Sequence, residues 1–206
     1  MNIICNSCVG SRIYEMLNMQ FTNPFMWNVI TYPDFKKLID NFDNIDYSKT
    51  KISLYEYPGD PIAMATFNDN IKSYFIHYHQ RNDSCGTIKH NIDVYSNNII
   101  EYANTKVSKR TYRMLSLNEE PMFIFETRPR PRFNANYNED DVYDFINLNN
   151  QYKRIVITSF EKFKNYPEQI GNCYILFYED KHPNLPPDTI DMAKQTYNKF
   201  KYLFEI

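Results

Sequence analysis

The sequence predicts an α/β fold in a single domain, residues 1–206, and three observations lead to it. Apolar residues switch repeatedly between the strand period of two and the helical period of 3.6. After Pro121 the order strand, helix, strand recurs, the arrangement that gives parallel-type units with covering helices. From Lys51 to Gln80 the period is two throughout, interrupted only by turn signals. That predicts an antiparallel meander (about 51–79) within a mixed α/β architecture.

The elements follow in order. Asn2 to Cys5 is a short apolar strand. Val9, Ile13, Met16 and Leu17 then have helical spacing. A loop around Asn23-Pro24-Phe25-Met26-Trp27 leads to a second helix, with Thr31 as N-cap, Pro33 in the first turn and Phe35, Leu38, Ile39 and Phe42 inward. The meander strands are Ile52 to Glu56, Pro61 to Phe67 and Ile71 to His79. Pro58-Gly59-Asp60 and Asn68-Asp69-Asn70 separate them. Ile88, Ile92, Tyr95, Ile99 and Tyr102 define a long helix that continues or restarts through Lys109 to Leu115. Pro121 to Thr127 is continuously apolar at its centre and reads as a buried strand. Glu139-Asp140-Asp141 opens a helix where negative charge suits the N-terminal dipole. Arg154 to Thr158 and Cys173 to Tyr178 are further strands, and Asp188 caps a last helix bearing Ile190, Ala193, Tyr197, Phe200 and Phe204.

A chain of 206 residues, 43% hydrophobic, can bury one core and is short for two full domains. A formal charge of -2 gives no electrostatic case for nucleic acid or an anionic membrane as partner. No apolar run is long enough to span a membrane and no cleavable leader is recognisable, so a soluble, cytoplasmic protein is expected. Four irregularly spaced cysteines then read as free thiols in a reducing compartment. Nothing selects an oligomeric state.

Cys8 follows the first strand and precedes a helix. Amides at a helix N-terminus lower a thiol pKa and can cradle an oxyanion, which suits a nucleophile. The alternative is a small buried thiol filling a turn. On the third meander strand His77 and His79 share a face with Phe75, and His77 can serve as base. Glu126 is among the groups able to orient it, alongside Asp83, Asn91 and Asp93. Cys5, Cys8, His77 and His79 also make a dithiol or zinc set, but a second closely spaced cysteine pair is missing, so no metal is assigned. Arg128 and Arg130 follow a buried strand, with Arg132 behind them. If that strand is parallel, they lie where α/β sheets bind ligands, and guanidinium groups suit phosphate or carboxylate. Arg110 and Arg113, three apart on a helix, are candidates for the same pocket. The alternative is a solvated, proline-stiffened loop. No glycine-rich phosphate loop is present, and no cofactor is expected.

Several of these blocks resemble two bacterial families of unknown function. One is catalogued as papain-like cysteine peptidases; the chain is similar to it at Ser7-Cys8, the helix through Tyr14, Asn23 to Trp27, Phe75-Ile76-His77, Lys109-Arg110 with Arg113, and Phe123-Ile124-Phe125 leading to Arg128. The other is named for exopolysaccharide biosynthesis. It resembles the chain at Asn6-Ser7-Cys8-Val9-Gly10 with Tyr14, at Pro33-Asp34-Phe35 and at Phe75-Ile76-His77-Tyr78. The resemblance implies Cys8 and His77 as reacting groups, with Arg110, Arg113 and Arg128 beside them. Met26 departs from the first family, which has an aspartate there.

The expected function is a cysteine-dependent hydrolase or acyl transferase. Cys8 is its nucleophile, His77 its base, Glu126 the orienting acid, and Arg110, Arg113, Arg128 and Arg130 bind an anionic group of a small-molecule or glycan substrate. Two readings compete. One is a sugar-nucleotide-dependent enzyme using the arginines, with Cys8 structural. The other is a non-catalytic module held by zinc or a dithiol at Cys5, Cys8, His77 and His79.

Overall fold

The computed structural model describes residues 1–55, 62–68, 70–75, 96–149, 151–179 and 189–204. Its strands and helices in chain order are β1 (Asn2–Cys5), α1 (Val9–Met16), α2 (Tyr32–Asp40), β2 (Lys51–Tyr55), β3 (Ile62–Phe67), β4 (Ile71–Phe75) and α3 (Ser96–Leu117). β5 (Pro121–Glu126), α4 (Glu139–Asn147), β6 (Lys153–Thr158), β7 (Gln169–Ile170), β8 (Cys173–Phe177), α5 (Thr189–Lys199) and α6 (Lys201–Phe204) follow.

β1, β5, β6 and β8 pair side by side in that order, all parallel, and β7 closes the far edge antiparallel to β8. The meander is present as β2-β3-β4, but as a second, three-stranded sheet. It does not add to β1 because that edge is already satisfied. Ile3 donates its N–H to the Tyr14 hydroxyl (3.0 Å), Asn23 Nδ2 donates to Ile3 O (2.7 Å), and Ile30 N donates to Asn6 O (3.0 Å). Side chains and a returning loop thus blunt an edge that another strand would otherwise extend. The meander is moored one step further out, where Val29 and Tyr74 exchange backbone hydrogen bonds of 2.8 and 2.9 Å.

The parallel strands are buried on both faces, as continuous apolar runs require. Ile4, Phe123, Phe125, Val156 and Ile175 face one core with α2, α4, the meander and the Ile99–Val107 stretch of α3. Ile3, Cys5, Met122, Ile124, Ile155, Ile157 and Leu176 face the other, under α1, α5 and α6. Three layers result, and the carboxyl ends of β1, β5, β6 and β8 emerge on a common edge.

Most expected elements are present at the expected places. α3 runs unbroken through Arg110 and Arg113; its expected beginning, residues 88–95, and Asp188 lie outside the described residues. Thr31 occupies the N-cap of α2, yet its hydroxyl bonds the Asp34 carboxylate (3.2 Å) rather than a backbone N–H. β7 was not anticipated. Two residues carry no periodicity, and the turn it makes with β8 depends on Gly171 at φ +55°.

Gly10 shows how tightly α1 is set on β1. A Cβ added there would lie 2.7 Å from Cys5 Cβ, well inside van der Waals contact. Alanine gains helix propensity of up to ~1 kcal/mol over glycine, but overpacking against a strand costs ~1–3 kcal/mol. Gly10→Ala is therefore expected to lower stability by ~1–2 kcal/mol, read as a lower urea midpoint with an unchanged slope. A stabilised variant would show that α1 can lift off the sheet freely.

Candidate functional site

The turn after β1 and the segment after β5 meet through one side chain. Asn6 Nδ2 donates to Glu126 O (2.9 Å), and Asn6 Oδ1 accepts from Glu126 N (2.8 Å). The amide thus pairs with the backbone as a further strand residue would. Asn6 Nδ2 also reaches the Tyr137 hydroxyl (3.0 Å), which donates to Ile30 O (3.0 Å). Asn6 is fully buried, so each of these groups needs a protein partner.

Glu126 is also fully buried, at 0% exposure, and its carboxylate collects two of the loop arginines, Arg128 and Arg130. Arg128 N donates to Oε1 at 2.7 Å, Arg128 Nε lies 3.5 Å from the same oxygen, and Arg130 Nη2 donates to Oε2 at 3.0 Å. Arg128 Nη2 further reaches Thr189 Oγ1 (3.0 Å) at the start of α5. Two guanidinium groups around one carboxylate leave a net positive charge at the carboxyl edge. Arg130 is fixed by a turn in which it exchanges backbone bonds with Ala135, with Asn134 at φ +52°.

Cys8 stands at the N-cap of α1 beside this cluster, where it feels the charges of Arg130, Arg128 and Glu126. Its thiol is not acidified. Burial pushes it up from 9.0 to about 12, and the attraction of Arg130 and Arg128 offsets only part of that rise. The first-turn amides are directed elsewhere. Ser7 Oγ accepts from Val9 N (3.3 Å) and lies 3.5 Å from Cys5 Sγ. Burial raises Cys5 to about 11, moderated by the Ser7 hydroxyl and the Ser7 and Gly10 amides. Cys5 thus receives stabilisation from the turn into α1, of the kind the sequence led one to expect for Cys8. Cys173 is buried on β8 and likewise raised to about 12, with Arg154 lowering it in part.

The structure brings Cys8, Glu126, Arg128 and Arg130 together. It places Arg110 and Arg113 at the Phe21 segment instead: the Arg110 guanidinium lies 5.3 Å from the Phe21 ring centroid, and Arg113 Nη1 donates to Phe21 O (3.2 Å). His77, His79, Cys85, Asp83, Asn91 and Asp93 lie outside the described residues. The described strand preceding His77 ends near the arginine loop. Tyr74 packs with Val29, Phe133 and Ala135, its ring centroid 5.4 Å from that of Phe133. Among the described residues no group of three or more histidines, cysteines or acids can hold a metal ion, and no helix is long and apolar enough to cross a membrane.

Asn6 and Tyr137 were not singled out from the sequence. Asn6 had a signal, since it opens the Asn-x-Cys-x-Gly turn, whose three defined positions now have separate tasks. Asn6 clamps β5, Cys8 occupies the N-cap position of α1, and Gly10 permits close approach to Cys5. Tyr137 had none, being one tyrosine among 18.

A family model described as a domain of unknown function (DUF1919) matches residues 1–90. The matched part contains Asn6, Cys8 and His77 and ends before Glu126, Arg128 and Arg130. No curated protein matches the chain.

The raised thiol has a measurable consequence. Alkylation by iodoacetamide consumes thiolate, so its rate at Cys8 in the free protein should climb with pH and show no plateau below about 12. In the linkage sense, stability contributed by the neutral buried thiol is complete below 9.0 and is lost as pH rises toward about 12. Peptide mapping after timed alkylation across this range tests it. A plateau near neutrality would mean that charge, not burial, controls Cys8.

Proposed function

We propose that the carboxyl edge of the parallel sheet is the active site of a cysteine-dependent hydrolase or acyl transferase. Cys8 is the nucleophile, His77 the base, and Arg128 and Arg130 bind an anionic group of a small-molecule or glycan substrate. The observation that carries this reading is the position of Cys8 after β1, where it senses the charges of Arg130 and Arg128; in this reading a bound anion and the thiol sulfur would share that strand-end site. β4 ends at Phe75, two residues before His77 in the sequence, and its Tyr74 packs against Phe133 of the arginine loop, which supports His77 as base. The resemblance of the Asn6–Gly10 turn to the family named for exopolysaccharide biosynthesis suggests a glycan or glycoconjugate as substrate. Glu126 holds the arginines in this reading. Nucleic acid and membrane surfaces have no role in it.

In the reaction the Cys8 thiol gives its proton to His77 as sulfur attacks the acyl carbonyl. The tetrahedral intermediate collapses to a thioester, and His77 returns the proton to the leaving group. Water then hydrolyses the thioester, or a second nucleophile takes the acyl group. A thiol raised to about 12 requires this concerted proton transfer, since little thiolate exists beforehand. The same raised value favours a second reading, in which Cys8 is structural and the arginines alone bind an anionic ligand such as a sugar nucleotide.

A p-nitrophenyl ester separates the two. Wild type should release a stoichiometric burst of p-nitrophenolate and carry a thioester at Cys8 by mass spectrometry, with a pH inflection in the rate that depends on His77. Cys8→Ala should abolish the burst, and His77→Ala should slow it by a factor on the order of 10² and remove the inflection. The double variant should be no worse than Cys8→Ala. A burst that survives Cys8→Ala overturns the proposal. If there is no burst while phosphate still raises the melting temperature in both wild type and Cys8→Ala, the second reading stands.

A further inference from the structure

Arg110 and Arg113 gather on a segment that the proposed reaction does not use. From Thr22 to Ile30 every residue is buried except Trp27, the only tryptophan of the chain. Its backbone stands at φ +59°, a conformation that bulky residues rarely adopt. Ser11 Oγ holds it there by accepting Trp27 N–H (2.8 Å). Such strain persists only where the surroundings fix it, and here it leaves an indole half-buried at the surface.

Guanidinium groups and aromatic rings alternate along this segment. The Arg12 guanidinium lies 4.7 Å from the Trp27 ring centroid, Trp27 meets Phe21 edge to face at 6.2 Å, and the Arg110 guanidinium lies 5.3 Å from Phe21. Arg113 Nη1 donates to Phe21 O (3.2 Å) and meets no carboxylate among the described residues. Arg12 Nη1 pairs with Glu15 (2.6 Å), but both side chains are partly in water, at 33% and 42% exposure, and such a surface pair is displaced at little loss. The strip begins one turn of α1 beyond Cys8, where Arg12 N donates to Cys8 O (3.1 Å). It leads toward the amino end of β1, where Phe21 packs edge-on against Tyr14 (5.9 Å), whose hydroxyl accepts from Ile3 N.

We propose that this strip binds an acidic polysaccharide, with the carboxylates of its uronate units on Arg12 and Arg113. A planar guanidinium fork matches a carboxylate bidentately, and stacking on a ring orients the fork before the ligand arrives. Arg110, buried at Phe21, adds positive charge. A cationic ligand is repelled by the three guanidinium groups, and a neutral chain leaves the forks unused. Single-stranded nucleic acid fits less well. Trp27 and Phe21 stand at 84° to one another, whereas successive bases stack on platforms of like orientation. A polysaccharide seated on the strip has one end a helical turn from Cys8. As the path of an extended substrate the strip rests on the proposed reaction, but its binding is read without turnover.

Calorimetric titration with trigalacturonate gives the affinity, and the emission of Trp27 shows where the ligand sits, because the chain holds no second tryptophan. Saturable binding that changes the emission is expected. Maltotriose, the neutral probe, should not bind, and a thymidine oligonucleotide of equal charge should bind about tenfold more weakly. Arg12→Gln and Arg113→Gln should each weaken the triuronate by about tenfold. Arg12 is partly exposed, so Arg12→Gln should melt as wild type does and keeps the test open if Arg113→Gln fails to fold. The proposal is overturned by no saturable binding, by binding that leaves Trp27 emission unchanged, by equal binding of maltotriose, or by an Arg12→Gln variant that binds as well as wild type. An oligonucleotide that binds as tightly as the triuronate overturns the choice of polysaccharide in favour of nucleic acid. Triuronate binding without a p-nitrophenyl ester burst upholds the strip and fails only the reaction, and a burst without triuronate binding does the reverse.

Discussion

The paired hydrogen bonds from the Asn6 amide to the backbone of Glu126 hold the carboxyl edge together. A strand ends where its ladder runs out, and the chain beyond is normally free to leave. Here the amide extends the β1–β5 pairing by a side chain, at the point where the backbone turns toward α1. Ile30 bonds to Asn6 from the other side, and Val29 carries the link to β4. The turn bearing Cys8, the arginine loop and the meander are thus referred to one buried residue. Loss of that amide leaves a backbone donor and acceptor unpaired, at ~1–3 kcal/mol each.

Burial and charge act in opposition at Cys8, and burial prevails. A thiol moved from 9.0 to about 12 disfavours the thiolate by ~4 kcal/mol. The guanidinium groups reduce this without reversing it, because desolvation is the largest effect and Cys5 and, less, Glu126 add to it. A resting thiol that stays protonated resists oxidation and stray alkylation. In the proposed reaction it would gain nucleophilic character only as a base takes its proton, and the arginines, held in place by a carboxylate that water does not reach, would act chiefly on the substrate.

The framework was legible because it rests on periodicity. β5 is buried along its whole length and reads as five continuous apolar positions closed by Glu126, and the meander declared itself through alternation and turn residues. The shared edge of Cys8, Arg128 and Arg130 followed from strand-then-helix order, which parallel pairing converts into proximity. Three features were hidden for physical reasons. β7 is too short for a period to show. The separation of the meander from the main sheet depends on Tyr14 and Asn23 satisfying the β1 edge, which are side-chain bonds without a sequence signature. The destination of Arg110 and Arg113 depends on the rotation of α3, and both face Phe21 rather than Glu126. The helix-terminal effect on Cys8 was a sound local argument that lost to desolvation, a quantity only the fold supplies.

The central claim is that Cys8 and the arginines form one anion-binding reaction site, and a comparison of two alkylating reagents tests it most directly. Iodoacetate and iodoacetamide consume the same thiolate and differ in charge, so the ratio of their rates at one cysteine cancels its pKa. At Cys8, mapped by mass spectrometry, that ratio should exceed the value for the same cysteine in the urea-unfolded chain, and it should fall toward that value in Arg130→Gln. A ratio at Cys8 equal to the unfolded reference, unchanged by Arg130→Gln, would contradict the account.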